Sequence, residues 1–345
     1  TAAEFTGRQD HCRAARKTAG NLFSSGTYQR FAFPPIFYGD GIIGIRKLSP
    51  FDLYKISRTG AVLQSLDAVR YFTRGEPLNL RNVMQRVAPL VEQAAVSWEG
   101  EDGATCYAQI EKRQTRQYAQ MCYLGCQEMP DAVDVCRLLE PLVRSAGAWK
   151  AWGVLADLPQ SSELLEGFRK AGFTIWARQN IYQLIPNEKG YNEETIQWRL
   201  WNSQDIDFMN NLFKEVVPGA VQTIEPMTRK AALGLVAYQS DGSLAGYADL
   251  EYGPKGIWAQ VISRPNVRAA GLLRDLPGAV PELAGRPVFL CVRSYHSWLD
   301  AAVEEVGFSK SEAQVLLVKH LVLRKSLDRS VVKQMLEGST MEGSL

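Results

Sequence analysis

The sequence predicts a mixed α/β protein built from two repeated units, and three features recurring in the same order predict it. Arg46 and Asp52, and later Arg199 and Asp205, stand the same interval apart, each Arg on a strand-like run and each Asp in the opening turn of a helix. Residues 95–111 and 235–251 both read as two strands around an Asp-Gly turn, the strongest short hairpin signal, and both carry Tyr-Ala after the turn and end in Glu. Residues 161–173 and 297–308 are amphipathic helices closed by Gly172-Phe173 and Gly307-Phe308. A Gly past the last helical turn supplies the left-handed cap, and the Phe after it returns to the core. The copies lie about 135 to 155 residues apart, one domain's length.

Taken in order, the chain opens with an arm over 1–40, rich in Arg, Phe and Tyr around Pro34-Pro35, which is too irregular for a domain and too aromatic for a solvated tail. The first unit, over 41–185, begins with a strand at 43–46 and a helix opened by Ser49-Pro50, a cap followed by Pro at the first helical position. After its hairpin it continues with a strand over 115–124, a helix over 132–145, a strand over 148–156, the closing helix and a strand over 174–184. Residues 186–194, with Pro186 and Gly190, have the composition of a linker. The second unit, over 195–323, repeats the order: a strand at 196–199, a helix after Asn202, the hairpin, a strand over 256–263, a helix over 271–280, a strand over 287–292, the closing helix and a strand over 309–323. Such an order gives a mixed sheet with helices on both faces. Residues 324–345 turn polar and read as a tail or docking segment.

Composition excludes several classes. With 39 basic and 37 acidic residues, the 345-residue chain has no clustered basic face to bind nucleic acid. No apolar run reaches the length of a spanning helix, so a cytoplasmic protein with no membrane span is expected. Six unevenly spaced cysteines point to reduced, buried thiols rather than a disulfide framework. Cys122, Cys126 and Cys136 lack the paired turns of a zinc site, and no metal is expected.

One stretch reads as a ligand-binding turn. Residues 264–274 follow a strand and open a helix, with Arg268 three residues before Gly271, the minimum for backbone N–H groups to approach a phosphate. The order of elements, the Asp-Gly hairpins and the Gly-Phe helix ends resemble the GNAT superfamily of acyl-CoA-dependent N-acetyltransferases, as two such domains in tandem. The resemblance covers 42–184 and 196–323.

The resemblance implies acetyl-CoA as cofactor, held in the second unit by Arg268, Ala269, Ala270, Gly271 and Leu272, with Leu273 where the family has Gly or Ala. The matching turn of the first unit, 125–134, has no Gly after Pro130 and carries Glu128, Asp131 and Asp134, which would repel a pyrophosphate. Where many members have a Tyr as general acid, this chain has Phe168 and Val303, and Tyr295 is the remaining phenol for that task. Asp249 and Glu251, two apart on one face of a strand, are the candidate bases for an amine acceptor; the plain alternative is a solvated strand face. Tyr295 has its own plain alternative, a boundary residue between core and solvent. Two functional readings follow: an N-acetyltransferase acting in its second unit, or a catalytically silent scaffold binding a protein partner through its arm or tail.

Overall fold

The structure is a computed structural model that describes residues 46–47, 62–75, 91–99, 105–184, 197–227, 233–265 and 267–321. The arm, the Ser49-Pro50 helix start, the turn at Asp102-Gly103, the linker and the tail lie outside the described residues.

The first half of the chain contributes β1 (Arg46–Lys47), β2 (Val62–Ser65), α1 (Ala68–Arg74), β3 (Val91–Glu99), β4 (Thr105–Arg113), β5 (Ala119–Cys126), α2 (Ala132–Ala148), β6 (Gly153–Pro159), α3 (Leu164–Lys170) and β7 (Thr174–Leu184). The second contributes β8 (Trp198–Leu200), α4 (Ile206–Val216), α5 (Gly219–Gln222), β9 (Leu233–Tyr238), β10 (Leu244–Tyr252), β11 (Ile257–Ser263), α6 (Ala269–Ala279), β12 (Val288–Arg293), α7 (Trp298–Val306) and β13 (Phe308–His320). The expected elements that fall on described residues are present with shifted ends. Strand β5 starts at Ala119 rather than 115, and the helix before β6 runs on to Ala148, so β6 starts at Gly153. Burial of Leu138, Leu139, Leu142 and Ala146 on one face of α2 carries it through Pro141.

All thirteen strands among the described residues join one sheet, in the order β1-β3-β4-β5-β6-β13-β7-β12-β11-β10-β9-β8, with β2 beside β5. Among the described strands only β5–β6 and β11–β12 are parallel, each linked through a helix; the other pairs are antiparallel. The last strand of each half crosses to the other: β13 pairs with β6, and β7 pairs with β12.

The crossed strands also pair with each other along their lengths, and Gln179 stands opposite Gln314 at the centre. Gln314 follows Gln179 by 135 residues, the interval between the helix-ending Gly172 and Gly307. Each strand has one register irregularity, which falls at Trp176 in β7 and at Ser311 in β13, again 135 residues apart. At the centre, Gln179 Nε2 donates to Gln314 Oε1 at 2.6 Å, so the two amides satisfy part of each other's demand inside the sheet.

One core lies under α2 and α3 and another under α6 and α7. On the opposite face, α4 and α5 cover β10 and β11 through Met209, Leu212 and Val221. The repeated Arg and Asp of the second half are an ion pair: Arg199 grips Asp205 with two bonds of 2.8 and 2.7 Å, and these hold the Asp205 carboxyl down at about 2. Cys106 and Cys126 stand directly opposite on β4 and β5, 4.1 Å apart at Cα, and form a disulfide. This corrects the expectation of six thiols: two cysteines 20 residues apart are joined by strand register, which spacing alone does not reveal. Among the described residues Cys122, Cys136 and Cys291 are not in disulfides. Among the described residues no helix is long and apolar enough to cross a membrane.

Candidate functional site

In an open α/β sheet, ligands collect where parallel strands part at their carboxyl ends. The second half has such a wedge. Pairing of β11 with β12 runs from Ile257↔Val288 to Gln260↔Cys291 and stops, while β11 continues to Ser263 and β12 to Arg293. Three buried polar atoms have no hydrogen-bond partner among the described residues: Ser263 Oγ at the end of β11, and His296 Nε2 and Trp298 Nε1 just after β12. Unpaired buried donors and acceptors are uncommon in folded proteins and call for an explanation. Burial pushes the His296 imidazole down to about 4, so it stays neutral near pH 7.

A charged cluster lies beside them. Arg293 Nε donates to Glu225 Oε2 at 3.2 Å, and Arg293 Nη2 donates to Oε1 of the same carboxylate. Tyr295 OH donates to Glu225 Oε2 at 2.9 Å. Arg293 Nη1 and Cys291 Sγ both donate to Gln179 Oε1, the second at 3.1 Å, which ties the cluster to the crossed strand β7. Burial opposes ionisation of Glu225, but the Arg293 charge and the bonds from Arg293 and Tyr295 outweigh it and leave the carboxyl below its ordinary value. Tyr295 moves the other way: burial and the Glu225 charge raise its phenol. Burial pushes the Cys291 thiol up to about 12, so it is no nucleophile at neutral pH.

The turn at α6 forms the rim. Arg268 is the exposed N-cap of α6, and it makes no side-chain cap bond. Ala270 and Leu272 are buried and belong to the core; Ala269 and Gly271 are half-buried. A side chain at Gly271 would meet nothing within 4 Å, so the space outside the first turn is open. Leu273, which stands where the family has Gly or Ala, is fully buried among the core residues with Leu272 and Leu276, because position 273 falls on the inward stripe of the helix. Arg264 is occupied elsewhere, its Nε and Nη2 gripping Glu215 of α4 at 2.8 to 3.0 Å.

Of the candidate acid–base residues, Tyr295 lies in the cluster. Asp249 stands opposite Gln260, which stands opposite Cys291, so it shares a row and a face with these two residues. Glu251 lies one row farther out, opposite Trp258, and is ion-paired with Arg116 of the first half at 3.4 Å. Phe168 and Val303 are fully buried core residues. Sequence reasoning missed Glu225, Arg293 and Gln179. A signal existed for Arg293, a charge ending the wholly apolar run 288–292, because a charge closing a buried strand needs a partner.

Comparison with solved structures places the architecture. A GCN5-related N-acetyltransferase from Sphaerobacter thermophilus superposes with a TM-score of 0.51 at 18% identity, over 80% of this chain and 95% of that one. The chain has the GNAT fold. A GCN5-related N-acetyltransferase from Kribbella flavida matches at TM-score 0.41 and 13% identity, over 62% of this chain and 86% of that one. A tandem GNAT protein of the clavulanic acid biosynthesis pathway, solved without acetyl-CoA, matches at 0.42 and 14%, over 68% and 85%. No family model and no curated protein matches the sequence.

The start of α6 is the place that could hold a phosphate-bearing cofactor: Arg268 makes no side-chain cap bond there, and Gly271 faces open space.

The first half presents a different wedge. Pairing of β5 with β6 covers only Ala119↔Val154 and Gln120↔Leu155, and the gap beyond is filled by the chain itself. Strand β2 pairs with β5 from Ser65↔Tyr123 to Val62↔Cys126. Leu66 then bridges the two parted strands, its N–H donating to Cys122 O and its carbonyl accepting from Asp157 N, both at 3.0 Å. The start of α2 is closed as well, since Asp131 Oδ1 accepts from the N–H groups of Val133 and Asp134 at 2.7 and 2.8 Å.

Proposed function

We propose that the chain is two GNAT-like units fused through their last strands, and that it transfers an acyl group from acyl-CoA to an amine in the wedge of the second unit. The observation that carries this reading is the group of unpaired buried atoms, Ser263 Oγ, His296 Nε2 and Trp298 Nε1, where β11 and β12 part beside an uncapped helix start. Acetyl-CoA, when bound, supplies an activated thioester. Arg268 and the first turn of α6, from Ala269 to Leu272, hold the pyrophosphate, with Arg268 supplying charge and Gly271 leaving room.

Asp249 is the carboxylate placed to take a proton from the acceptor amine, since it lies in the row of Gln260 and Cys291. Glu251 stands behind it, held by Arg116. Glu225, kept ionised by Arg293, draws a cationic acceptor toward the wedge. Tyr295, whose proton is engaged with Glu225, fixes that carboxylate and is the phenol this reading assigns to a departing thiolate. The silent-scaffold reading rests on residues 1–40 and 324–345.

Calorimetric titration with acetyl-CoA tests the proposal. Saturable binding that Arg268→Glu abolishes supports it, and no binding at millimolar ligand overturns it in favour of the scaffold.

A further inference from the structure

The three side chains with unpartnered buried atoms come from the ends of both strands that part in the second half. Ser263 closes β11 and is fully buried. It stands opposite Gly246, where a Cβ would lie 3.2 Å from both Ser263 Cβ and Leu272 Cδ2, so Ser263 turns toward the first turn of α6. His296, 1% exposed, follows β12 in the turn Ser294–His296, and Trp298 begins α7. The His296 ring lies 4.6 Å from that of Tyr295 and 5.0 Å from that of Trp298. Tyr295 packs on the core beneath α4 and α5, and Trp298 on the core beneath α6 and α7, so His296 stands between the two faces at the carboxyl end of β12.

The start of α7 adds no partner of its own. Ser297 makes no side-chain cap bond there, and Asp300, the carboxylate of that turn, accepts instead from Tyr182 OH at 2.7 Å and Asn180 Nδ2 at 3.1 Å. The chemistry of the three atoms limits what completes them. Trp298 Nε1 only donates, the Ser263 hydroxyl donates or accepts, and the neutral His296 ring does one or the other at Nε2 according to its tautomer. An alkyl chain lying against them would leave each unpaired, and a buried polar atom without a partner is costly. A carboxylate would arrive without a counter-charge, since Arg293 is committed to Glu225 and Gln179. A neutral oxygen suits all three.

We propose that the acyl-CoA taken up by the second wedge carries a polar acyl group, with a neutral hydroxyl or keto oxygen beyond the thioester, and that Ser263, His296 and Trp298 select it over a plain alkyl chain of the same length. This inference rests on the acyl-CoA reading above and goes beyond it by naming the class of donor. Selection of this kind is effective because an analogue lacking the oxygen leaves the buried groups of the site unpaired.

The full chain is titrated calorimetrically with CoA, butyryl-CoA and 3-hydroxybutyryl-CoA, the last two differing by one oxygen. The hydroxyacyl ligand is expected to bind at least about tenfold more tightly than butyryl-CoA, the worth of one hydrogen bond to a group otherwise unpaired. His296→Phe and Ser263→Ala are each expected to bring that ratio toward one. Ser263→Ala deletes only an unpaired hydroxyl, so it keeps the readout should His296→Phe fail to fold. If butyryl-CoA matches or exceeds the hydroxyacyl ligand, or if the preference survives in every folded variant, the inference is overturned while the acyl-CoA reading stands. If none of the three ligands binds at millimolar concentration, both are overturned together.

Discussion

The two wedges of the sheet start from the same plan and end differently. In the second half β11 and β12 part after Gln260 and Cys291, leaving buried polar atoms without partners and an ion pair, Arg293 with Glu225, beside the opening. In the first half β5 and β6 part earlier, and 62–67 enters the gap and satisfies both strand edges. The lesson is that a parted pair of parallel strands is only a potential site, since its exposed backbone groups must be satisfied by chain or by ligand. The half that uses its own chain has a self-capped helix start at Asp131, and the other has an uncapped start at Arg268.

The comparison breaks most readily at its charged cluster. Glu225→Ala leaves Arg293, 9% exposed, without its carboxylate. Breaking a buried pair from one side is expected to cost about 3 to 5 kcal/mol in urea unfolding, and the double variant Glu225→Ala/Arg293→Met should recover much of it. A loss below about 1 kcal/mol would mean that solvent supports Arg293 and that the wedge is wetter than described. Next in size is Leu66→Ala, which empties a fully buried side chain from the filled wedge. A loss of about 2 to 5 kcal/mol is expected, with acetyl-CoA binding by the surviving folded protein unchanged. Altered affinity at the second wedge would show that the two are coupled.

Much of this arrangement was legible before any coordinates. The hairpins, the Gly-Phe helix ends and the order of elements follow from periodicity and turn chemistry, which are local, and Arg199 with Asp205 proved to be a bonded pair. The crossing of β7 and β13 was not legible, because an apolar strand is equally content beside β6 or β12 until the partner is known. Its trace lay in Gln179 and Gln314, polar residues at matching positions of two apolar strands, which make sense only when they face each other. The filling of the first wedge was hidden for a similar reason: Val62-Leu63 is too short a run to suggest a strand. Glu225 was hidden because nothing in a Thr-Ile-Glu-Pro loop points to an arginine 68 residues away.

A smaller effect comes from Asp157, whose carboxylate accepts the Ala68 N–H at 3.0 Å inside the filled wedge. Burial, and then the nearby Asp67 charge, push it up to about 7. A raised carboxyl means that the folded state binds the proton more tightly than the unfolded chain. Its contribution to stability is therefore complete below about pH 4 and is lost as pH rises toward 7. The steepest slope is about 1.4 kcal/mol per pH unit, measurable as the change in urea midpoint across that window. Asp157→Asn should flatten it; an unchanged slope would assign the titration to another group.

The smallest expected effect separates the two causes that could silence the first wedge. Asp131→Ala removes the cap from α2 and leaves its first turn as bare as that of α6. A slight fall in Tm is expected, with no change in the stoichiometry of acetyl-CoA binding, because β2 and Leu66 still fill the space the ligand would need. If a second molecule bound, capping by Asp131 rather than occupation by the chain would be what distinguishes the halves. Repeating the titration in Asp131→Ala/Leu66→Ala is expected to give the same stoichiometry with a further loss of stability, since the second change empties a side chain but keeps the backbone N–H and carbonyl of residue 66 that bridge the parted strands; a second bound molecule would mean that the side chain rather than the backbone closes the gap.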